Sequence, residues 1–288
     1  HYPLRRQRQM CIRDSSVTDD HPTCQIAKQQ CIDRRIPEKV YNDWFVCIAG
    51  KEFYDIDDND EIILNENGFP SGNEYRNRLI IPYYNFSGYW YQFDGRDLNK
   101  ESKARYKNRS GDEREFYKID FLDVTKPFFL TEGAIDASFI ENSVAIGGVS
   151  NLKRLLLQYP AILSNAHNCT VIWDNDDAGY DQLPFSINAG LRWFNWSTIN
   201  PHPNCMYDEK GKLRVVKDIN DLVMYTTEVT LNQDSYITPE SLLKFSEKHE
   251  GGVIKVNMLY GNRSKMKYIR QKEIQKSINK KTDVIQWG

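Results

Sequence analysis

The sequence predicts an α/β protein in which a small parallel sheet flanked by helices follows a mixed α+β subdomain with many basic residues. Two short apolar runs, residues 127–131 and 171–172, are typical of buried parallel strands, and each leads into a stretch with helical character. The 288 residues give room for one to two domains, and 40% hydrophobic residues are enough for a sizeable core.

Acidic residues follow each of these two strands. Glu132 comes directly after the first run and precedes Gly133, while Asp174 and Asp176 follow the second run. Because open α/β sheets bind ligands at the carboxyl ends of their strands, we expect these carboxylates to share a pocket. Acidic oxygens alternating along an extended backbone are suited to a hard cation such as Mg²⁺.

A third acidic cluster occupies residues 217–221, after the apolar-containing run 213–216. We expect Asp218 to reach the same pocket, so that three strand ends converge on one metal site. Asp221 has the alternative of capping the helix that begins near Leu222. Asp136 and Asp177 lie at helix starts, where compensation of the helix dipole is an equal explanation.

Three segments resemble, in sequence and order, the motifs of the TOPRIM domain: residues 130–136, 174–179 and 217–221. That domain is shared by bacterial-type primases, topoisomerases and some nucleases. We assign Asp174 and Asp176 as ligands of Mg²⁺ or Mn²⁺ and Asp218 as an additional ligand. The resemblance implies that Glu132 is a ligand or the general base, so the catalytic candidates are Glu132, Asp174 and Asp176.

The preceding part of the chain resembles the catalytic core of DnaG-type primases. Residues 78–96 resemble a segment in which a strand, a turn at Gly88 and a second strand lead to a Gly-Arg pair. Residues 104–108 resemble that family's Lys-Tyr-Leu-Asn element, with Arg105 in the place of the lysine. An opening helix is expected between His21 and Pro37. The family's further lysine before the TOPRIM strand has no clear equivalent, and Arg114 and Lys118 are the candidates.

Basic residues after the Gly-Arg pair are expected to bind the triphosphate and the template. Each phosphate contact gains from counterion release, and arginine adds bidentate geometry. A basic strip that is only a solvated surface is the alternative. The candidate nucleotide-binding and DNA-binding residues are Arg96, Lys103, Arg105, Lys107, Asn108 and Arg109.

Four segments are expected along the chain. Residues 1–15 resemble a translated sequencing-adapter sequence, and we interpret them as a non-native leader. The N-terminal basic subdomain of the primase core then covers residues 16–126, the TOPRIM domain residues 127–227 and a C-terminal extension residues 228–288.

Composition limits the compartment and the cofactors. The six cysteines form neither a CxxC pair nor a zinc-ribbon spacing, so we expect no zinc site in this chain and reduced thiols in a cytoplasmic protein. No apolar stretch is long enough to span a membrane. Because the net charge is only -2, any nucleic-acid signal must be local.

The resemblance implies a DNA primase of phage or plasmid origin, which would act in the host cytoplasm if viral. Such a nucleotidyltransferase, a DNA-directed RNA polymerase, makes short RNA primers on a single-stranded DNA template from ribonucleoside triphosphates, alongside a replicative helicase. A TOPRIM nuclease that cleaves phosphodiesters is one alternative. A catalytically idle module that binds nucleic acid in a replication complex is another, although a scaffold has no need of mutually repelling carboxylates.

Overall fold

The computed structural model describes residues 15–48, 57, 61, 63–64, 75–99, 101–102, 104–108, 115–196, 199 and 216–248. The chain divides into two compact units between residues 113 and 114. One unit is built on an antiparallel sheet and the other on a mainly parallel sheet, so the expected α/β class is confirmed. The four segment boundaries expected from the sequence stay predictions.

The first unit is built on an antiparallel sheet. Its described strands, in sheet order, are β1 (Ser15–Ser16), β2 (Phe45–Cys47), β3 (Arg78–Tyr84), β4 (Trp90–Asp97) and β5 (Tyr106–Asn108). Every neighbouring pair runs antiparallel. Two helices, α1 (Pro22–Asp33) and α2 (Glu38–Tyr41), connect β1 to β2.

Helix α1 confirms the opening helix expected between residues 21 and 37. The side chain of His21 accepts a backbone hydrogen bond in the first turn, and Pro22 occupies the first helical position, where no N–H is needed. Buried Cys24, Ala27 and Cys31 recur at spacings of three and four residues. This spacing puts them on one face, so α1 buries a narrow apolar stripe.

The hairpin of β3 and β4 follows the expected order of strand, turn and strand. Gly88 has a φ of 76°, a left-handed conformation that glycine adopts without strain. The side chain of Asn85 closes the same turn by accepting two backbone hydrogen bonds. Gly95 and Arg96 lie near the end of β4, with Arg96 directly opposite Tyr106 of β5.

Arg78 is a buried cation that organises this sheet. Only 6% of the residue is exposed, and its Nη1 donates to the carbonyl oxygens of Gly95 and Ala104, both at 3.0 Å. Its Nη2 lies 3.3 Å from Asp97 Oδ2. Arg78 therefore holds together β3, β4 and the segment that enters β5. That segment contains Arg105, one of the residues expected to bind nucleotide or DNA.

Replacement of Arg78 by methionine is expected to lower the free energy of unfolding by about 3–5 kcal/mol, because Asp97 and two carbonyl oxygens lose their partner in a buried position. Urea denaturation measures the change. Arg76→Met is the matched control, because Arg76 is exposed two residues earlier, and we expect a change within about 0.5 kcal/mol. Equal effects of the two replacements would contradict this role of Arg78.

The second unit contains the parallel sheet. Its described strands, in sheet order, are β10 (Ser246–Glu247), β9 (Arg192–Phe194), β8 (Cys169–Ile172), β6 (Phe128–Thr131) and β7 (Ser143–Ala145). The inner pairs are parallel, and β10 adds an antiparallel edge. The helices are α3 (Ala134–Ser138), α4 (Leu152–Gln158), α5 (Pro160–Ser164), α6 (Asp177–Asn188), α7 (Ile219–Tyr225) and α8 (Pro239–Leu243). No helix in the described segments is long and apolar enough to cross a membrane.

The central strands β6 and β8 are buried along their whole length. Phe128 and Leu130 of β6 belong to a core cluster that includes Leu155 of α4 and Leu183 of α6. Alternation along the strand directs Phe129 to the opposite face, and it is also fully buried. Both faces are therefore covered, which explains why most residues of these strands are apolar. The buried Thr170 of β8 forms a hydrogen bond with Ser246.

The described cysteines are buried, reduced thiols, namely Cys24, Cys31, Cys47 and Cys169. Burial raises the pKa of the Cys31 thiol to about 12, so this side chain stays protonated and behaves as a small apolar residue. Cys11 and Cys205 lie outside the described residues. The expected lack of a zinc site stays a prediction.

Candidate active site

The acidic residues that follow the two central strands lie side by side. Strands β6 and β8 pair in parallel with Thr131 opposite Ile172, so they end at the same edge of the sheet. The backbone N of Asp174 donates a hydrogen bond to Glu132 Oε1 at 2.9 Å. The structure therefore brings Glu132 and Asp174 together at the carboxyl edge, where α/β sheets bind ligands.

A lysine ammonium joins the two carboxylates that follow β8. Lys217 Nζ lies 3.0 Å from Asp174 Oδ2 and 3.4 Å from Asp176 Oδ2. The lysine side chain is 52% exposed, whereas the aspartate side chains are 21% and 34% exposed. A positive charge therefore stands between two of the expected metal ligands, and sequence reasoning assigned no role to this lysine.

Asn175 ties the third acidic segment to the end of β8. Its backbone N donates to Lys217 O at 2.7 Å, and its side chain donates to Val216 O at 2.9 Å. The amide oxygen in turn accepts from the Tyr180 hydroxyl at 3.1 Å. This buried asparagine fixes the loop that carries Lys217 and Asp218, while the run 213–215 lies outside the described residues.

Two expected ligands also cap helices. Asp176 Oδ1 accepts from Gly179 N at 3.1 Å at the start of α6, and Asp218 Oδ1 accepts from Asp221 N at 2.7 Å at the start of α7. The cap of α7 is therefore Asp218, whereas Asp221 accepts the backbone N of Lys217 at 3.1 Å. Capping uses one oxygen of Asp176, and the other oxygen faces the Lys217 ammonium.

Asp136 belongs to the same acidic cluster, although its sequence position is equally explained by a helix dipole. It lies in the first turn of α3, and its Oδ1 accepts from the backbone N of Asn220 at 3.2 Å. Burial, followed by the charges of Asp218 and Asp174, raises its pKa well above the ordinary value. Its partner Asn220 lies 84 residues away, so the sequence around Asp136 does not reveal this contact.

Burial and mutual repulsion raise the proton affinity of the cluster. Burial, and then the charge of Asp174, raises the pKa of Glu132 to about 7. Burial also raises the pKa of Asp174, although Lys217 opposes the change. Burial alone would lower the pKa of Lys217, but its hydrogen bond to Asp174 and the two aspartate charges raise it overall. One ammonium therefore leaves surplus negative charge, which favours a further cation.

The donor chemistry of the cluster fits a hard divalent cation. Its ligand candidates are carboxylates, which suit Mg²⁺ and Mn²⁺. The positively charged Lys217 ammonium already contacts two of them. As the side chains stand, no three His, Cys, Asp or Glu residues in the described part of the chain are spaced to hold a metal ion. Metal binding would therefore require carboxylate side chains to rotate towards a common centre.

The first turn of α6 packs tightly against the backbone of Asp174. A Cβ at Gly179 would lie 2.2 Å from Asp174 O and 2.9 Å from Trp173 Cβ. Only glycine fits at this position, because a side chain would push the helix away from the end of the strand. This close approach allows Asp176 to cap α6 while Asp174 stays beside Glu132.

Replacement Gly179→Ala is expected to destabilise the protein by about 1–3 kcal/mol through overpacking and to weaken Mn²⁺ binding by displacing Asp174. Helix propensity alone predicts the opposite sign, a gain of up to about 1 kcal/mol. Urea denaturation and a Mn²⁺ titration measure the two effects. The control is Ala178→Ser at the exposed neighbouring position, and a stabilised Gly179→Ala protein would contradict the tight packing.

The described basic candidates of the first unit include two cations that lie over tyrosine rings. The Arg96 guanidinium lies 5.1 Å from the ring centroid of Tyr106 and donates a hydrogen bond to its hydroxyl. Lys107 Nζ lies 5.8 Å from the ring centroid of Tyr75, and Arg105 is exposed. Of the remaining candidates, Asn108 lies on β5, and Lys103 and Arg109 fall outside the described residues.

Lys118 has a structural role in the second unit. Its Nζ donates to Ile140 O at 2.6 Å and to Ala137 O and Ser143 Oγ, both at 3.3 Å. Ala137 lies in the last turn of α3 and Ile140 just beyond its end, so the amine donates to carbonyl groups at the carboxyl end of this helix. Lys118 is therefore engaged with the backbone, and Arg114, the other candidate for the family's lysine, lies outside the described residues.

Burial lowers the pKa of Lys118 to about 7, against an ordinary value of 10.5, with Glu141 opposing the change. The unfolded chain keeps this proton up to about pH 10.5, whereas the folded chain releases it above about pH 7, so this group makes stability rise over that interval. Lys118→Met is expected to flatten the rise in the free energy of unfolding, measured in urea at several pH values. The exposed Lys153→Met control should retain it, and an unchanged profile in Lys118→Met would contradict the prediction.

The chain is related by sequence to DNA primases. It is 30% identical to the DNA primase of Enterobacteria phage T4 over 140 residues, which are 48% of this chain and 37% of the phage protein. It is 32% identical to the DNA primase of Mycoplasma pneumoniae over 120 residues, which are 37% of this chain and 19% of that protein. The match thus spans well under two thirds of either relative.

The fold is that of the DnaG catalytic core. A solved structure of that core matches with a TM-score of 0.50 at 17% identity, covering 72% of this chain and 70% of the other. No protein-family profile matches the chain. The expected resemblance to DnaG-type primases is therefore confirmed by the sequence relatives and the fold.

Proposed function

We propose that this chain is the catalytic core of a DNA primase that synthesises short RNA primers on single-stranded DNA from ribonucleoside triphosphates. The observation that carries the proposal is the acidic cluster at the ends of β6 and β8. There the Lys217 ammonium contacts both Asp174 and Asp176, and Glu132 lies beside Asp174. The fold of the DnaG core and the relationship to DNA primases support it further.

The reaction joins a 3′-hydroxyl to the α-phosphate of an incoming nucleotide, so that an O–P bond forms and pyrophosphate leaves. A divalent cation, when bound, neutralises charge on the phosphoryl oxygens and on the leaving group. Asp174, Asp176 and Asp218 would hold it through carboxylate oxygens. Glu132 lies beside Asp174 and is proposed to accept the hydroxyl proton.

The basic residues of the first unit are proposed to bind phosphate groups of the nucleotide and the template. Tyr106 restricts the Arg96 guanidinium, which leaves less side-chain freedom to lose on binding. Arg105 and Lys107 are further candidates for these contacts, and the sequence adds Lys103, Asn108 and Arg109. The relationship to replication primases also supports a cytoplasmic site of action and a replicative helicase as partner.

Primer synthesis tests the proposal directly. Asp174→Asn is expected to reduce incorporation of labelled ribonucleotides on single-stranded DNA with Mg²⁺ at least about 100-fold, because several kcal/mol of charge stabilisation depends on the cation. The matched control is Asp177→Asn, an exposed acidic residue in the first turn of α6, and it should retain activity. Extension of a preformed primer is assayed in parallel, so that a defect in initiation is separated from one in chemistry.

The same assay distinguishes the alternatives. Degradation of the DNA that depends on Asp174 would replace the primase by a nuclease in which the cation activates water. Binding of DNA without metal, synthesis or cleavage would indicate an idle module. Equal activity of the wild-type protein and Asp174→Asn would remove the acidic cluster from the reaction.

A further inference from the structure

Lys217 lies where the proposed metal site needs a cation. We propose that its ammonium is an internal counter-ion that occupies the position between Asp174 and Asp176 and is displaced when a divalent cation binds. The inference rests on the metal site of the proposed function and adds a residue that competes for it. Both contacts are made to Oδ2 atoms, at 3.0 and 3.4 Å, and Asp174 lies beside Glu132.

The charge of the cluster explains why a counter-ion is needed. Glu132, Asp136, Asp174, Asp176 and Asp218 influence one another electrostatically, and burial raises the pKa of several of them. Without a cation, Asp174 and Asp176 would repel each other at the end of β8. The lysine therefore holds the ligands near each other while no metal is bound.

The contacts of Lys217 allow the ammonium to leave without unfolding the loop. Its backbone N donates to Asp221 Oδ2 at 3.1 Å, and its carbonyl accepts from Asn175 N at 2.7 Å. These bonds fix the main chain independently of the side chain. The side chain is 52% exposed, and a lysine binds as a flexible point charge, so its release to water costs little.

Displacement would also let the carboxylates rearrange around a metal ion. In the described residues no three acidic side chains are arranged around one metal position, and two of them contact the ammonium instead. Once it moves out, Asp174 and Asp176 can turn to a common centre. The position is then taken by a doubly charged ion, which better compensates the cluster.

Lys217→Met tests the proposal, because methionine keeps a similar length and the backbone contacts but removes the charge. Binding of Mn²⁺ is measured from the electron paramagnetic resonance signal of the free ion, and we expect binding to be tighter by roughly 10-fold. Lys217→Arg keeps the charge and should bind within about threefold of the wild-type protein. Unchanged or weaker binding by Lys217→Met would overturn the counter-ion role.

Thermal unfolding gives a second readout that a purely structural role would not produce. In the presence of a chelator, Lys217→Met should unfold at a lower temperature than the wild-type protein, and saturating Mn²⁺ should remove the difference. A difference that persists at saturating Mn²⁺ counts against displacement.

Asp174→Asn separates failure of this inference from failure of the proposed function. If the wild-type protein binds Mn²⁺ and Asp174→Asn does not, the proposed metal site is supported. The results with the Lys217 variants then test the counter-ion role by themselves. If the wild-type protein does not bind Mn²⁺ at all, the metal site and the counter-ion role both fail.

Discussion

The parallel pairing of β6 with β8 is the constraint on which the acidic site depends. Both strands are buried throughout, so charged side chains follow beyond their ends. The register that sets Thr131 opposite Ile172 places Glu132 next to Asp174. A shift of this register would move the two carboxylates apart, and the apolar core of the strands therefore controls the geometry of the charged site.

Crowded carboxylates are unfavourable, and this site offsets the repulsion with nearby donors. Backbone N–H groups bind Glu132, Asp136, Asp176 and Asp218, while the Lys217 ammonium binds Asp174 and Asp176. Such hydrogen bonds stabilise the charged forms without neutralising the cluster. The remaining negative charge favours cations, so the cost in stability and the proposed metal binding would have the same origin.

The basic residues of the first unit are organised by a different principle. Arg78 is buried, donates hydrogen bonds to carbonyl oxygens and forms an ion pair with Asp97, so it holds the sheet together. Arg96 instead rests on the ring of Tyr106, where its orientation is restricted while its charge stays available to a phosphate. Burial and stacking thus distinguish the structural Arg78 from Arg96, which is proposed to bind phosphate, and the charge of the two residues alone does not reveal this difference.

The sequence by itself determined the elements and the motifs, because apolar runs, turn glycines and acidic residues after strands are local patterns. It predicted the parallel sheet and the hairpin with Gly88, which the structure contains, and the chemical class of the site stays a prediction. Tertiary structure alone decided that Asp136 joins the cluster, that Lys217 binds Asp174 and that the Lys118 amine caps α3. The bonds from Asp174 to Glu132 and to Lys217 span 42 and 43 residues, and that from Asn220 to Asp136 spans 84. Local patterns do not encode the distance or direction between side chains so far apart, because packing of the whole unit sets them.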